Sequence, residues 1–405
     1  MATPPAPFPL RAASLAVLVV LTLLTGVTPL SIDMPLPALP RLAEALNAPA
    51  NEAQLLVGVF LIGFAGAQLI AGPLADRFGR RPVLLVGLSA YLICCIGCAL
   101  APSMEALLAI RLVQGIVACT APVVARAIVA DVHKGPAAQR AMSIVTAGMG
   151  FAPVLAPSIG ALVLEFTDWR GIFWTLATTA ALLLTLVGLF LGETRARETA
   201  PTSLRIVSLT RRYFTIVTDR RFFDYALPSL FAGGALFTFL SAATFVLQDT
   251  LGVSTRHFGF MFGGVMLGFV SGATLASAYS PKFGLDKSIL FGLVACACGG
   301  WAMLALWLFG ADHWAAIILP MAVVMFGMGI LRPNSIAGAM APFRDMAGAA
   351  SALIGFLQMA AGATAGLFLF LLPFTPGQLL PPLVALYPTL SLFIFIMMRR
   401  GQRSR

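Results

Sequence analysis

The chain has 405 residues, of which 59% are hydrophobic and only 10% charged, whereas a soluble domain carries about 25% charged residues. With 16 Asp+Glu and 26 Lys+Arg it cannot cover the surface of a water-soluble fold of this size, and its mean hydropathy of +0.94 agrees. This excludes a disordered chain, a secreted disulfide scaffold and an ordinary soluble enzyme, and it leaves a multi-span, all-α membrane protein.

Apolar runs of about 20 residues read as transmembrane helices. Twelve are expected, near 13–34, 51–72, 82–101, 104–130, 140–165, 170–192, 223–247, 256–280, 286–309, 313–333, 346–371 and 377–398. The first is too long for a signal-peptide core and leads straight into further spans, so it is read as a retained helix. The longest connection, 193–222, is polar and Arg-rich and falls between helices six and seven. It divides the chain into an N-terminal half (1–192), a cytoplasmic linker (193–222) and a C-terminal half with a basic tail (223–405). An ungapped offset of 205 aligns 62–79 with 267–284, matching Gly63 to Gly268 and Arg77-Phe78-Gly79 to Lys282-Phe283-Gly284. Two parallel six-helix repeats are expected.

Lys and Arg collect in cytoplasmic loops. With the N-terminus inside, 21 of the 26 basic residues fall on the cytoplasmic face, including Arg77, Arg80, Arg81, Arg332 and Arg344. Arg41, Arg170 and Arg256 fall outside, and Arg111 and Arg126 remain within the membrane. The +10 balance, which in a soluble protein would suggest nucleic acid, is therefore topology, and no nucleic-acid partner is expected. The six cysteines lie in apolar runs without a histidine pair beside them, so no metal site is expected.

Helix one carries Ile32-Asp33-Met34-Pro35-Leu36-Pro37-Ala38-Leu39-Pro40 at its outer end. A carboxylate at mid-membrane costs on the order of 2.5–3.5 kcal/mol on insertion scales, so it has a partner or a task. Asp33 either caps the outer end of the helix or carries a proton inside a cavity. Arg111, in Arg111-Leu112-Val113-Gln114-Gly115 of helix four, lies at similar depth and is the expected partner; an arginine snorkelling outward is the other reading. Arg126 lies deeper, near Asp131, and reads as a snorkelling or structural ion pair. The loop between helices two and three is Gly72-Pro73-Leu74-Ala75-Asp76-Arg77-Phe78-Gly79-Arg80-Arg81-Pro82. Gly72 and Pro73 are expected to end helix two, and Gly79 permits a tight turn. Helix five carries Pro153, Pro157 and Gly160, suited to a bend and to close packing. In the second half the polar candidates are Asn334, Gln358 and Thr238, beside Phe231, Phe237, Phe239 and Phe245.

The 72–82 loop resembles the signature loop of the major facilitator superfamily. Arg111 to Gly115, the proline-rich helix five, the 32–40 stretch, Arg126 to Asp131, Arg332-Pro333-Asn334-Ser335 and Gly355-Phe356-Leu357-Gln358 resemble elements of its drug/proton antiporters, in the bicyclomycin/chloramphenicol resistance branch. The resemblance implies proton coupling through Asp33 and Arg111, with Asp33, Arg111, Gln114, Asn334, Gln358 and Phe239 facing substrate. It also implies a gate of Gly72, Asp76, Arg77, Gly79, Arg80, Arg81 and Asp131. There Asp76 would stand against the N-terminus of helix eleven and Arg80 would pair with Asp131; Arg77 and Arg81 alternatively read as lipid-facing anchors. An antiporter motif of Pro153, Pro157 and Gly160 would press helix five on the small-residue-rich helix eight. The branch often adds a second acid about two turns earlier in helix one; here that stretch is Thr25-Gly26-Val27-Thr28.

The expected activity is proton-driven export of small lipophilic drugs such as chloramphenicol or bicyclomycin by alternating access. Export of an endogenous amino acid or sugar on the same fold is the alternative. With no GxSxG, HExxH or GxxxxGK arrangement, neither an enzyme nor an ATP-driven pump is expected. The partners would be the lipid bilayer, protons and substrate, with no cofactor. The chain would act as a monomer in the bacterial cytoplasmic membrane, both termini inside.

Overall fold

The computed structural model describes residues 15–133, 135–194, 206–372 and 374–403. The basic positions Arg11, Lys134, Arg195, Arg197, Arg205 and Arg405 lie outside the described residues. Among the described residues, twelve helices are long and apolar enough to cross a membrane: Leu15–Ala45, Ala50–Phe78, Arg80–Ala99, Met104–Val132, Arg140–Phe166, Arg170–Phe190, Arg220–Thr250, Thr255–Phe283, Leu285–Leu308, Ala315–Phe343, Gly348–Leu371 and Pro376–Arg400. They are called helices one to twelve below. No strand occurs among the described residues.

The boundaries display the internal repeat. Helices one, two and three begin 205 residues before helices seven, eight and nine, and helix four begins 211 before helix ten. Helix two, Ala50–Phe78, and helix eight, Thr255–Phe283, have 29 residues each and both stop at a glycine of positive φ, Gly79 at 99° and Gly284 at 82°. Only glycine adopts such backbone readily.

The packing repeats as well. A Cβ on Gly63 would run into Leu112 O of helix four, and one on Gly268 would meet Ala322 O of helix ten. Across the seam between halves, Gly58 approaches Ala363 and Gly366 of helix eleven, while a Cβ on Gly263 would stand 3.0 Å from Val154 O of helix five. Gly259 adds to the second contact, 2.9 Å from Ser158 Cα. In a bilayer, small residues are what allow two backbones to meet. Not all of the small residues of helix eight face helix five: Gly268 and Gly272 pack on helix ten, and a Cβ on Gly264 meets no neighbour within 4 Å.

Three local expectations need correction. Gly72 and Pro73 do not end helix two; it continues through Pro73 to Phe78, because a proline removes one hydrogen bond and the turn waits for Gly79. Helix ten likewise continues through Pro333 to Met340. The linker holds a helix, Ile206–Thr218, with Ile216 fully buried and Tyr213 Oη donating to Leu69 O of helix two at 2.9 Å, while Arg211 and Arg212 stay exposed.

The glycine contacts give a direct test. Gly63→Ala should destabilise the purified protein by about 1–3 kcal/mol through backbone overlap and lower its thermal midpoint. Gly66→Ala, where an added Cβ meets nothing within 4 Å, should leave the midpoint unchanged or raise it.

Candidate functional site

Helix one is α-helical from Leu15 to Asp33, then turns through a 3₁₀ segment at Leu36–Ala38 before resuming at Leu39–Ala45. Pro35 and Pro37 cause this break by withdrawing backbone donors. Asp33 therefore sits at a kink inside the span rather than capping its end. It is 4% exposed, and its carboxylate has neither ion pair nor hydrogen bond among the described residues.

Arg111 lies on helix four, fully buried. Its Nη1 donates to Gln114 Oε1 at 2.8 Å, Nη2 to Ser31 O at 3.0 Å and Nε to Leu56 O at 3.4 Å. The guanidinium also lies over the Phe60 ring, 4.4 Å from its centroid. One cation thus ties helices one, two and four together. Gln114 Nε2 donates in turn to Cys95 Sγ at 3.1 Å, and Ser31 Oγ is 2.6 Å from Tyr91 Oη, which brings helix three into the network.

The expected Asp33–Arg111 pair is not formed. The guanidinium reaches helix one but takes the carbonyl of Ser31, and residues two apart on a helix do not share a face. Gly160 of helix five packs on Met34 O and Pro37, beside Asp33, and Pro157 O stands 3.1 Å from where a Cβ on Gly259 would lie. Helix five therefore wedges between the kink in helix one and helix eight. Pro153 and Pro157 lie inside the continuous helix Gly135–Phe166.

The second-half candidates separate. Gln358 Oε1 accepts from Arg332 Nη2 at 2.8 Å and Gln358 Nε2 donates to Ser229 Oγ at 3.4 Å. Asn334 spends its amide on Ile330 O of its own helix, at 2.7 Å. Phe239, expected to face substrate, is fully buried and stacks on Phe262 at 5.7 Å, so its ring packs helix seven against helix eight. The span expected over 313–333 puts Arg332 at the inner end of helix ten, on the cytoplasmic face; the helix runs on through Pro333 to Met340, so Arg332 lies eight residues before its end. The uncharged run from Asn334 to Phe343 was the available signal.

At the Arg-rich end of the bundle, Arg80 pairs with Asp76, and its Nε lies 3.0 Å from Asp131 Oδ2. Arg81 Nη2 donates to Gly188 O at 2.7 Å. Asp76 makes no side-chain hydrogen bond to helix eleven among the described residues; its recorded partner is Arg80, one turn on. Arg77 lies 5.3 Å from the Phe78 ring centroid, and a Cβ on Gly72 would meet no neighbour within 4 Å. Glu193, which sequence reasoning passed over, accepts from the backbone N–H groups of Arg80 at 2.9 Å and Arg81 at 3.1 Å. Helix three starts at a glycine with no side chain to cap it, so a distant carboxylate supplies the oxygens. These recorded contacts join helices two, three, four and six, all in the first half.

Two bundles of six membrane helices, related by repeat and meeting along glycine seams with a buried carboxylate and guanidinium inside, define a membrane transporter fold. The sequence profile of the Major Facilitator Superfamily matches residues 21–366, and the chain belongs to that family. The chain is 33% identical over 355 residues to the MFS-type transporter YdgK of Bacillus subtilis, covering 86% of this chain and 87% of that one. It is 31% identical over 332 residues to a chloramphenicol resistance protein of Pseudomonas aeruginosa, covering 80% and 76%. The xylose transporter XylE from E. coli shares the fold with a TM-score of 0.72 at 14% identity, over 94% of this chain and 97% of that one.

Glu193→Ala should remove the two cap bonds of helix three and cost about 0.5–2 kcal/mol, read as a lower thermal midpoint. Gly79→Ala should cost at least as much, because its φ of 99° disfavours any side chain and a Cβ would press on Glu193.

Proposed function

We propose that the chain is a proton-coupled antiporter that exports small lipophilic drugs, of the chloramphenicol or bicyclomycin kind, by alternating access. The observation that carries this reading is Asp33, a buried carboxylate without a partner at the kink of helix one. As a neutral acid it is tolerated in an apolar setting; once ionised it needs water or a countercharge. Arg111 is the nearby cation in the same helix bundle, held by Ser31 O two residues earlier on helix one. Protonation of Asp33 and occupancy by substrate would then compete for one arrangement of this kink, which is the requirement for exchange. Similarity to the Pseudomonas aeruginosa chloramphenicol resistance protein supports the drug class.

The remaining elements follow from the same reading. Gly160, Pro153 and Pro157 hold helix five against the kink, so movement of one half is felt at Asp33. Arg80 with Asp76 and Asp131, flanked by Arg77, Arg81, Gly72 and Gly79, forms the brace at the cytoplasmic face. Gln114 and Gln358 hold Arg111 and Arg332 through their amide oxygens, placing the two cations for substrate. Energy comes from the proton gradient and no cofactor takes part. The protein works as a monomer in the bacterial cytoplasmic membrane with both termini inside.

In everted membrane vesicles carrying an imposed pH gradient, adding chloramphenicol should release protons through the wild-type protein. Asp33→Asn should reduce this release to the empty-vector background. Equal proton release by wild type and Asp33→Asn would overturn the coupling role. An unchanged antibiotic panel on overexpression, with an amino acid or sugar accumulating in the medium, would overturn drug export.

A further inference from the structure

Helix ten carries into the membrane a charge that the coupling scheme leaves unused. Arg332 lies eight residues before the end of the helix Ala315–Met340 and is half-buried. Its recorded hydrogen bond is the one to Gln358, and it forms no ion pair among the described residues. A guanidinium has five N–H donors, so most of this one's capacity is unfilled. The buried carboxylates among the described residues are Asp33, in the other half, and Asp224, whose Oδ1 lies 3.9 Å from Arg220.

The position is at the seam. Gly355, one turn before Gln358 on helix eleven, packs directly on the Gln68 side chain of helix two. Gln68 is 8% exposed and its Oε1 has no hydrogen-bond partner. One turn on from Arg332, Ser335 is 1% exposed and its hydroxyl is also unpartnered. Unfilled donors on helix ten therefore gather near the line along which the halves meet. The repeat gives this cation no equivalent: with helices four and ten 211 residues apart, Arg332 corresponds to Ala121. Arg111, offset likewise, corresponds to Ala322.

Charge sets the ligand class. Arg111, Arg126 and Arg332 form no ion pair among the described residues and stand against Asp33 as the buried carboxylate without a partner, so the interior carries excess positive charge whether Asp33 is ionised or protonated. A half-buried cation without an ion pair has lost part of its hydration, and an anion that pairs with it gives charge-assisted hydrogen bonds in return. We propose that Arg332, positioned by Gln358, is a subsite for the acidic group of amphipathic organic carboxylates, a substrate class carried beside neutral drugs. The inference rests on the exporter reading above and extends its range of substrates. A substrate entering between the halves from the Arg-rich end meets Arg332 before it reaches the deeper Asp33 kink. The basic surface at that end raises the local concentration of anions.

The test is equilibrium binding to the full chain in neutral-lipid nanodiscs, using tritiated 1-naphthylacetate and its uncharged isostere 1-naphthylacetamide. Wild type should bind the acid at least about tenfold more tightly, the equivalent of about 1.4 kcal/mol. Arg332→Gln should bind acid and amide alike, with the amide affinity unchanged, which also reports that the variant is folded. Arg332→Lys should keep a smaller preference for the acid, since an ammonium lacks the planar fork that matches a carboxylate. Equal binding of acid and amide by wild type, absence of saturable acid binding, or an acid preference that survives Arg332→Gln would each overturn the proposal. The chloramphenicol assay separates the two readings. Proton exchange with equal acid and amide binding removes the subsite and leaves the antiporter; acid-selective binding without proton exchange does the reverse.

Discussion

The fixed point of the first half is a buried cation satisfied by carbonyls instead of a carboxylate. Arg111 draws on Ser31 O, Leu56 O, the Gln114 amide and the Phe60 ring. Each partner is a dipole or a quadrupole, so the guanidinium is stabilised without being neutralised. That distinction has consequences. A direct ion pair with Asp33 would fix both groups in one state, whereas a carbonyl-held arginine leaves the carboxylate uncommitted. Helix one just before its proline kink, helix two and helix four are tied together through this one side chain.

Around that point the bundle is assembled by close backbone approach. The repeat puts Gly63 and Gly268 at the same place in each half, one against helix four and the other against helix ten. It also puts Gly58 and Gly263 on opposite seams, one against helix eleven and the other against helix five. With no hydrophobic drive between helices in lipid, close packing and interhelical hydrogen bonds decide which faces meet. At both seams glycine brings backbone against backbone, with no side chain of its own between the halves. At the outer end Gln248 Nε2 donates to Pro37 O at 3.2 Å and Arg256 Nε lies 3.8 Å from Glu165 Oε1, polar links across the two halves.

The number of helices, the six-plus-six division and the turn at Gly79 were legible from composition, hydropathy and one short internal alignment, because the bilayer enforces segment length and glycine enforces the turn. What was not legible depends on the angle around a helix axis. Asp33 and Arg111 were placed at one depth correctly enough to meet the same helix, yet a two-residue difference sends the guanidinium to Ser31. Phe239 looked like a cavity aromatic and instead packs on Phe262. Glu193 could not be tied to helix three, since a cap supplied from more than a hundred residues away leaves no local pattern. The expected span 313–333 stopped helix ten short for a different reason: the helix runs past Pro333 to Met340, since inside a membrane bundle neighbouring groups make good the hydrogen bond a proline removes.

The asymmetry between otherwise matched halves points to where the work is divided. The repeat places Thr238 of helix seven where Asp33 stands in helix one, and that threonine is fully buried. The first half therefore holds a buried carboxylate, and the second half holds a guanidinium that forms no ion pair among the described residues. A carrier with both functions on one half would bind and release its two ligands through the same packing change. On the antiporter reading proposed above, placing them on separate halves would make the relative position of the halves the variable that couples proton to substrate. That arrangement requires the seam to be tight enough to transmit a small displacement and slight enough to release it. Glycine backbone contacts such as Gly58 with Gly366 and Gly263 with Val154 meet both conditions.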